Sequence, residues 1–141
     1  MKGKPYEVRI FLDDMDAQGI VYHANYLKFM ERARAETMED FGFSVQSQGM
    51  GDRRFVVHEI KLTYFRPALL GDLIWVETDW SLSSNYRITF EQVVRKREIK
   101  GPLVKATVDV VCIDPEGRLT ELPENLVKRF SLQEPLARSK P

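Results

Sequence analysis

The hydrophobic positions of this chain alternate in five stretches and recur at helical spacing in one. From Tyr6 to Leu12, branched and aromatic residues alternate with polar ones, which predicts a first strand. Asp13 to Gly19 predicts a loop with its turn at Gly19. The period then changes. Tyr26, Met30, Ala33, Thr37 and Phe41 recur at spacings of four, three, four and four, and Phe29 and Met38 widen the stripe. Lys28, Glu31, Arg32, Arg34 and Glu39 mostly take the other side, so an amphipathic helix is expected from Ala24 to about Phe41. Gly42 is placed to stop it. Val45 to Arg54, with Gly49 and Gly51 among polar residues, predicts a loop.

Four strands are expected to follow. Phe55 to Phe65 puts Val56, His58, Ile60, Leu62 and Tyr64 on one face and ends at Arg66-Pro67, because proline lacks a ladder donor. Leu73 to Leu82 places Ile74, Val76, Trp80 and Leu82 together. After a turn at Ser83-Ser84-Asn85, Tyr86 to Lys96 aligns Tyr86, Ile88, Phe90 and Val94. Leu103 to Ile113 aligns Ala106, Val108, Val110 and Cys112. Asp114-Pro115-Glu116-Gly117 is a turn, and Leu122 to Phe130 predicts a short helix with Pro123 near its first turn. The last residues read as frayed.

One strand, one long helix and four strands in meander-like succession make a two-layer α+β domain, with a curved five-stranded antiparallel sheet wrapped around a single helix. The far face of that sheet then carries Phe55, Val57, Phe65, Trp75 and Val111, which predicts self-association.

Composition narrows the function classes. A chain of 141 residues is expected to be one domain, 1–141, and to bury roughly 68–70% of its unfolded surface. Twenty-one basic residues balance twenty-one acidic ones, so charge gives no reason for bulk attraction to nucleic acid or membrane. The single cysteine, Cys112, allows no internal disulfide and suits a reducing compartment. Neither a signal peptide nor a membrane span is visible, and a soluble cytoplasmic protein is the expectation.

The candidate chemistry lies in Asp14-Met15-Asp16-Ala17-Gln18-Gly19-Ile20-Val21-Tyr22-His23-Ala24-Asn25-Tyr26. Carboxylates lead into a glycine turn and then a helix start, where backbone N–H groups lack intrahelical partners. A carbonyl held there is polarised while a carboxylate attacks it or activates water. Asp13 and Asp14 are read as loop-shaping residues. His58 is expected to be a hydrogen-bonded core histidine and Cys112 a small core residue. Arg32 and Arg34 are expected at the surface or an interface, pairing with Glu31 or Glu36, and Gln92 is a candidate pocket residue. Two histidines without a ligand pattern disfavour a metal site.

The same motif, Glu31-Arg32-Ala33-Arg34-Ala35-Glu36 and Tyr64-x-x-Pro67-Ala68-x-x-Gly71-Asp72 together resemble the hotdog-fold acyl-CoA thioesterases. Within that fold they resemble the 4-hydroxybenzoyl-CoA thioesterase-like branch, and within it the bacterial enzymes associated with the Tol–Pal envelope system. The resemblance covers about Tyr6 to Ile113. It implies that Asp16 is the catalytic nucleophile or general base and that the His23 backbone N–H polarises the thioester carbonyl. Tyr22 and His23 then line the acyl end of the site, with Tyr26 and Arg66 as further substrate-binding candidates. It also implies dimers or dimers of dimers (a homotetramer), no metal, and no cofactor beyond the coenzyme A of the substrate. Arg53, Arg54, Arg66, Arg87 and Arg95-Lys96-Arg97 are candidates for the coenzyme A phosphates. Two alternatives stay open: a non-catalytic hotdog module that binds an acyl-carrier protein or envelope partner, and an acyl-carrier-protein thioesterase.

Overall fold

The computed structural model describes residues 1–43 and 51–138. The loop expected from Val45 therefore lies largely outside the described residues, as do the last three residues. The strands are β1 (Tyr6–Arg9), β2 (Arg54–Tyr64), β3 (Leu73–Ser84), β4 (Arg87–Lys96), β5 (Val104–Ile113) and β6 (Leu119–Thr120). The helices are α1 (Asn25–Asp40), between β1 and β2, and α2 (Glu124–Arg138), after β6. Every strand pair is antiparallel, and the sheet order is β1-β3-β4-β5-β2 with β6 beside β5.

The two-layer α+β architecture matches the expectation: a curled antiparallel sheet packs its concave face on α1. Three details differ. First, β6 pairs Cys112 with Thr120 and Ile113 with Leu119, closing the Asp114–Gly117 turn into a hairpin. Second, α2 runs to Arg138 and is not short. Third, the strands are not a simple meander. β3, β4, β5 and β6 follow one another, whereas β2 lies at the far edge beside β5. The link from Phe65 to Asp72 has eight residues and reaches up to ~26 Å. Crossing the three strand spacings from β2 to β3 needs only ~14 Å. Sequence order therefore does not impose adjacency. Phe65 and Arg66 donate their N–H groups to the Leu103 carbonyl, which holds the end of β2 against the start of β5.

β1 ends at Arg9, short of Leu12. The Asp14 carboxylate accepts the Phe11 N–H at 2.9 Å and draws the chain into a 3-10 turn over Leu12–Asp14. α1 ends as its sequence predicts. Gly42 sits at φ 92°, its N–H bonds the Glu39 carbonyl, and Phe43 N–H bonds Met38. This pair of bonds is the Schellman arrangement.

The helix stripe is buried through Tyr26, Phe29, Met30, Ala33, Thr37 and Met38. Burial of Phe29 or Met30 stabilises the fold by about 1.5–3 kcal/mol each. α2 covers one end of this core: Phe130 meets the Trp80 ring edge-on at 4.8 Å, and Trp80 stacks on Phe90 at 5.6 Å. Gly3 lies so close to Thr37 that an added Cβ would overlap its hydroxyl, so the N-terminal segment docks there only as glycine.

Arg34 is buried, contrary to the surface placement read from its charge. Its guanidinium donates to the Gln92 side-chain carbonyl at 3.0 Å and lies 5.9 Å from the Phe90 ring centre. Gln92 in turn donates to the Met30 carbonyl and the Thr78 hydroxyl, both at 3.0 Å. Burial lowers the Arg34 pKa, although Glu31 opposes the shift. Among the described residues no carboxylate pairs with Arg34.

His58 is not a core histidine. A bulge between Val57 and Glu59 shifts the register and leaves His58 exposed. The far face also differs from expectation. Phe55 packs against the core, Val111 is buried, and β3–β5 carry ion pairs on that face, Glu77 with Arg95 at 2.8 Å and Arg87 with Asp109 at 3.8 Å. Val57 and Phe65 are left exposed.

Two outcomes follow for stability. Replacing Gln92 by leucine strands the buried Arg34 cation and should cost about 1–3 kcal/mol in chemical denaturation. The double variant Arg34→Met/Gln92→Leu should cost less than Gln92→Leu alone, since it removes the charge with its partner. Burial pushes the Cys112 thiol from its ordinary 9.0 to about 11, against the pull of Arg53. The raised value means the fold favours the neutral thiol. That contribution is complete below pH 9 and is lost as the pH rises through about 11. Stability should fall over that interval, and at pH 8 the folded thiol should react with a thiol reagent far more slowly than the denatured one.

Candidate active site

The loop between β1 and α1 is a small hairpin. Met15 and Val21 form an isolated antiparallel bridge, and Asp16 donates its N–H to the Ile20 carbonyl at 2.9 Å. Gly19 closes the turn at φ 79°, a conformation that disfavours any side chain, and its N–H bonds the Asp16 carbonyl. The Asp16 carboxylate accepts the Gln18 N–H at 2.8 Å through one oxygen. This Asx turn fixes the side chain at the tip. The carboxylate is half-buried.

The start of α1 is held from three directions. Val21 donates to the Ala68 carbonyl at 3.1 Å, and Ala68 donates its own N–H to the Tyr26 hydroxyl at 3.0 Å. The Tyr64 hydroxyl donates to the His23 carbonyl at 2.8 Å. No group among the described residues accepts the His23 N–H. The helix cap position is Ala24, which has no side-chain cap. The positive end of the helix is therefore open beside the carboxylate turn.

A cavity of about 230 Å³ opens here, lined by Ile20, Val21, His23, Tyr26, Tyr64, Phe65, Arg66 and Pro67. Its aromatic walls form a connected series. The His23 and Tyr64 rings are 6.3 Å apart, Tyr64 and Tyr26 5.7 Å, and Tyr26 and Phe29 6.2 Å. Burial raises the Tyr26 pKa, against the bond from Ala68, and it also raises that of Tyr64. Both phenols therefore stay neutral at ordinary pH, Tyr26 accepting from Ala68 and Tyr64 donating to His23.

The structure thus brings His23, Tyr26 and Arg66 together in one cavity. Asp16 and Tyr22 lie outside its lining, although the Tyr22 ring is 4.6 Å from His23. Of the basic candidates, Lys96 is taken by Asp72 and Arg95 by Glu77, both at 2.8 Å, and Arg53 donates to the Glu121 carbonyl. Arg66 lines the cavity and has no carboxylate partner among the described residues. Tyr64 is the site residue that sequence reading passed over. Its place at the end of a strand gave it a core role, and only the tertiary fold brings its hydroxyl to the His23 carbonyl. Asp14 shapes the loop as expected, through its bonds to Phe11, Tyr22 and Asn25. No group of three metal-ligating side chains occurs among the described residues.

A curled antiparallel sheet around a long helix, with a carboxylate turn at the helix start, is the hotdog arrangement found in thioesterases. The chain belongs to the thioesterase-like superfamily, whose sequence model matches residues 11–130. It is 35% identical over 126 residues to the acyl-CoA thioester hydrolase YbgC of Escherichia coli O6:H1, covering 89% of this chain and 93% of that protein. It is 40% identical over 113 residues to the acyl-CoA thioesterase YbgC of Haemophilus influenzae, covering 79% and 82%. Among solved structures, a probable thioesterase from Bartonella henselae superposes with a TM-score of 0.77 at 32% identity, covering 86% of this chain and 99% of that one.

The two tyrosines should separate by substitution. Tyr26→Phe leaves the buried Ala68 N–H without an acceptor and should cost about 1–3 kcal/mol of stability. Tyr64→Phe removes a bond at an exposed position and should cost no more than about 1 kcal/mol in the same denaturation experiment.

Proposed function

We propose that this chain hydrolyses short-chain aliphatic or aromatic acyl-CoA thioesters to free acid and coenzyme A. The observation that carries this reading is the open His23 N–H at the helix start, together with the tight turn that holds the Asp16 carboxylate just ahead of that helix. Family membership supports the reaction class, and the relatives' names support coenzyme A as the thiol.

In this reading the thioester carbonyl points its oxygen at the His23 N–H, which stabilises the oxyanion as the carbonyl carbon becomes tetrahedral. Asp16 acts by one of two routes. As nucleophile it forms a mixed anhydride, the coenzyme A thiolate leaves and takes a proton, and water then opens the anhydride. As general base it takes a proton from water as the water attacks, and the proton passes to the leaving thiolate. Both routes consume one water and yield one acid and one thiol.

The cavity lies below the roughly 300–1,000 Å³ typical of pockets for drug-sized ligands. It suits a small acyl or aryl group, with His23 and Tyr26 at that end and Tyr22 packed behind His23. Arg66 at its rim is the residue we assign to a coenzyme A phosphate. The outer edge of β2 is eleven residues long and carries the exposed Val57, a surface that favours pairing with a second copy. We therefore infer a dimer or dimer of dimers. A coenzyme A substrate points to the cytoplasm.

The test is thiol release from short-chain, long-chain and aromatic acyl-CoA, with wild type beside folded variants. Asp16→Asn should lower kcat by ~10²–10⁴-fold. His23→Ala keeps the backbone donor and should stay within about tenfold of wild type, whereas His23→Pro removes it and should lose ~10²–10³-fold. An Asp16→Asn variant at the wild-type rate would move the chemistry elsewhere. Inactivity of wild type towards the whole panel, with activity on acyl-carrier-protein thioesters or with binding alone, would favour those functions instead. Sedimentation equilibrium should give a mass of two or four chains, and a monomer would refute the assembly.

A further inference from the structure

Asn25 is the first residue of α1, one position past the cap. An asparagine at a helix start ordinarily caps it by accepting N–H groups of the first turn. Here the side chain points backwards and donates: its amide N–H bonds the Asp14 carbonyl at 2.9 Å. That carbonyl also accepts the Tyr22 N–H at 2.9 Å, and the Asn25 backbone N–H bonds the Tyr22 carbonyl at 2.9 Å. Three hydrogen bonds thus close a ring through Asp14, Tyr22 and Asn25.

The ring joins the two halves of the site. Asp14 stands two residues before Asp16, at the end of the 3-10 turn that leads to it. The Tyr22 carbonyl belongs to the same rigid peptide plane as the His23 N–H, and in a trans peptide the two point in opposite directions. Holding that carbonyl therefore aims the His23 N–H. We propose that Asn25 is a positioning residue whose side-chain amide sets the Asp16 carboxylate against the His23 N–H. The proposal rests on the thioesterase reading above. None of Asp14, Tyr22 and Asn25 lines the cavity. Loss of the ring should therefore impair the reacting geometry and leave substrate binding nearly intact, and a misplacement of about 1 Å can cost ~10²-fold in rate.

The experiment compares Asn25→Ala and the isosteric Asn25→Asp, which keeps the shape but offers only acceptors to the Asp14 carbonyl. Both are measured for kcat and KM in wild-type and Asp16→Asn backgrounds, after melting temperature and oligomeric state are matched. The expected result is a ~30–100-fold loss of kcat for Asn25→Ala, at least as much for Asn25→Asp, and KM within about threefold. In the Asp16→Asn background Asn25→Ala should change the residual rate by less than about threefold, because the geometry it protects no longer serves a carboxylate. Wild-type kcat in either Asn25 variant, an effect confined to KM, or the same loss in both backgrounds would overturn the proposal while Asp16→Asn still upholds the thioesterase reading. Full activity of Asp16→Asn, or no hydrolysis by wild type, would overturn both.

Discussion

Two hydrogen bonds to Ala68 hold the start of α1 against the rest of the molecule. One takes the N–H of Val21, just before the helix, and the other reaches the hydroxyl of Tyr26 in its first turn. Ala68 itself is fully buried in the link between β2 and β3. The same link is anchored by Asp72, whose carboxylate accepts the Leu69 N–H and the Lys96 ammonium, each at 2.8 Å. Ile10 exchanges bonds with Gly71 and Asp72 at the end of β1. The crossing segment therefore ties β1, β3, β4 and the helix start into one corner, and the site is built on that corner.

Packing elsewhere reinforces the constraint. The apolar stripe of α1 keeps the helix in the trough of the sheet, while Arg34 and Gln92 fix its rotation and its position along the strands. A purely apolar contact is non-directional and tolerates sliding. The bonds from Gln92 to Met30, Thr78 and Arg34 do not. They lie one to two turns along the helix from the site, close enough for a shift there to reach its N-terminus.

The proposed chemistry uses what such an arrangement leaves over. A helix start has more N–H groups than acceptors, and this one lacks a side-chain cap, which ordinarily contributes about 1 kcal/mol. The missing cap keeps a preorganised dipole available beside a carboxylate held in a tight turn. In that reading the adjoining aromatic walls exclude water from an acyl group, which strengthens both interactions.

Much of this was legible in the sequence because it is local. Apolar periodicity placed α1 within a residue of its ends, and it identified the buried faces of β3, β4 and β5. The motif from Asp14 to Tyr26 marked the proposed site, since a turn glycine, a carboxylate and a helix start are all encoded close together in the chain. The misreadings have a common cause. The exposed His58, the buried Arg34, the edge position of β2 and the hydroxyl of Tyr64 at His23 depend on contacts between residues 40 or more apart, or on a bulge that shifts register. Alternation gives the face of a strand but not its neighbour, and charge gives a preference for water but not the presence of a buried amide to receive it. The sequence by itself determined the elements, their apolar faces and the residue types at the proposed reacting centre. Tertiary structure alone decided which strand stands beside which, and hence which side chains meet at the helix start, because pairing is selected by the closure of the whole core.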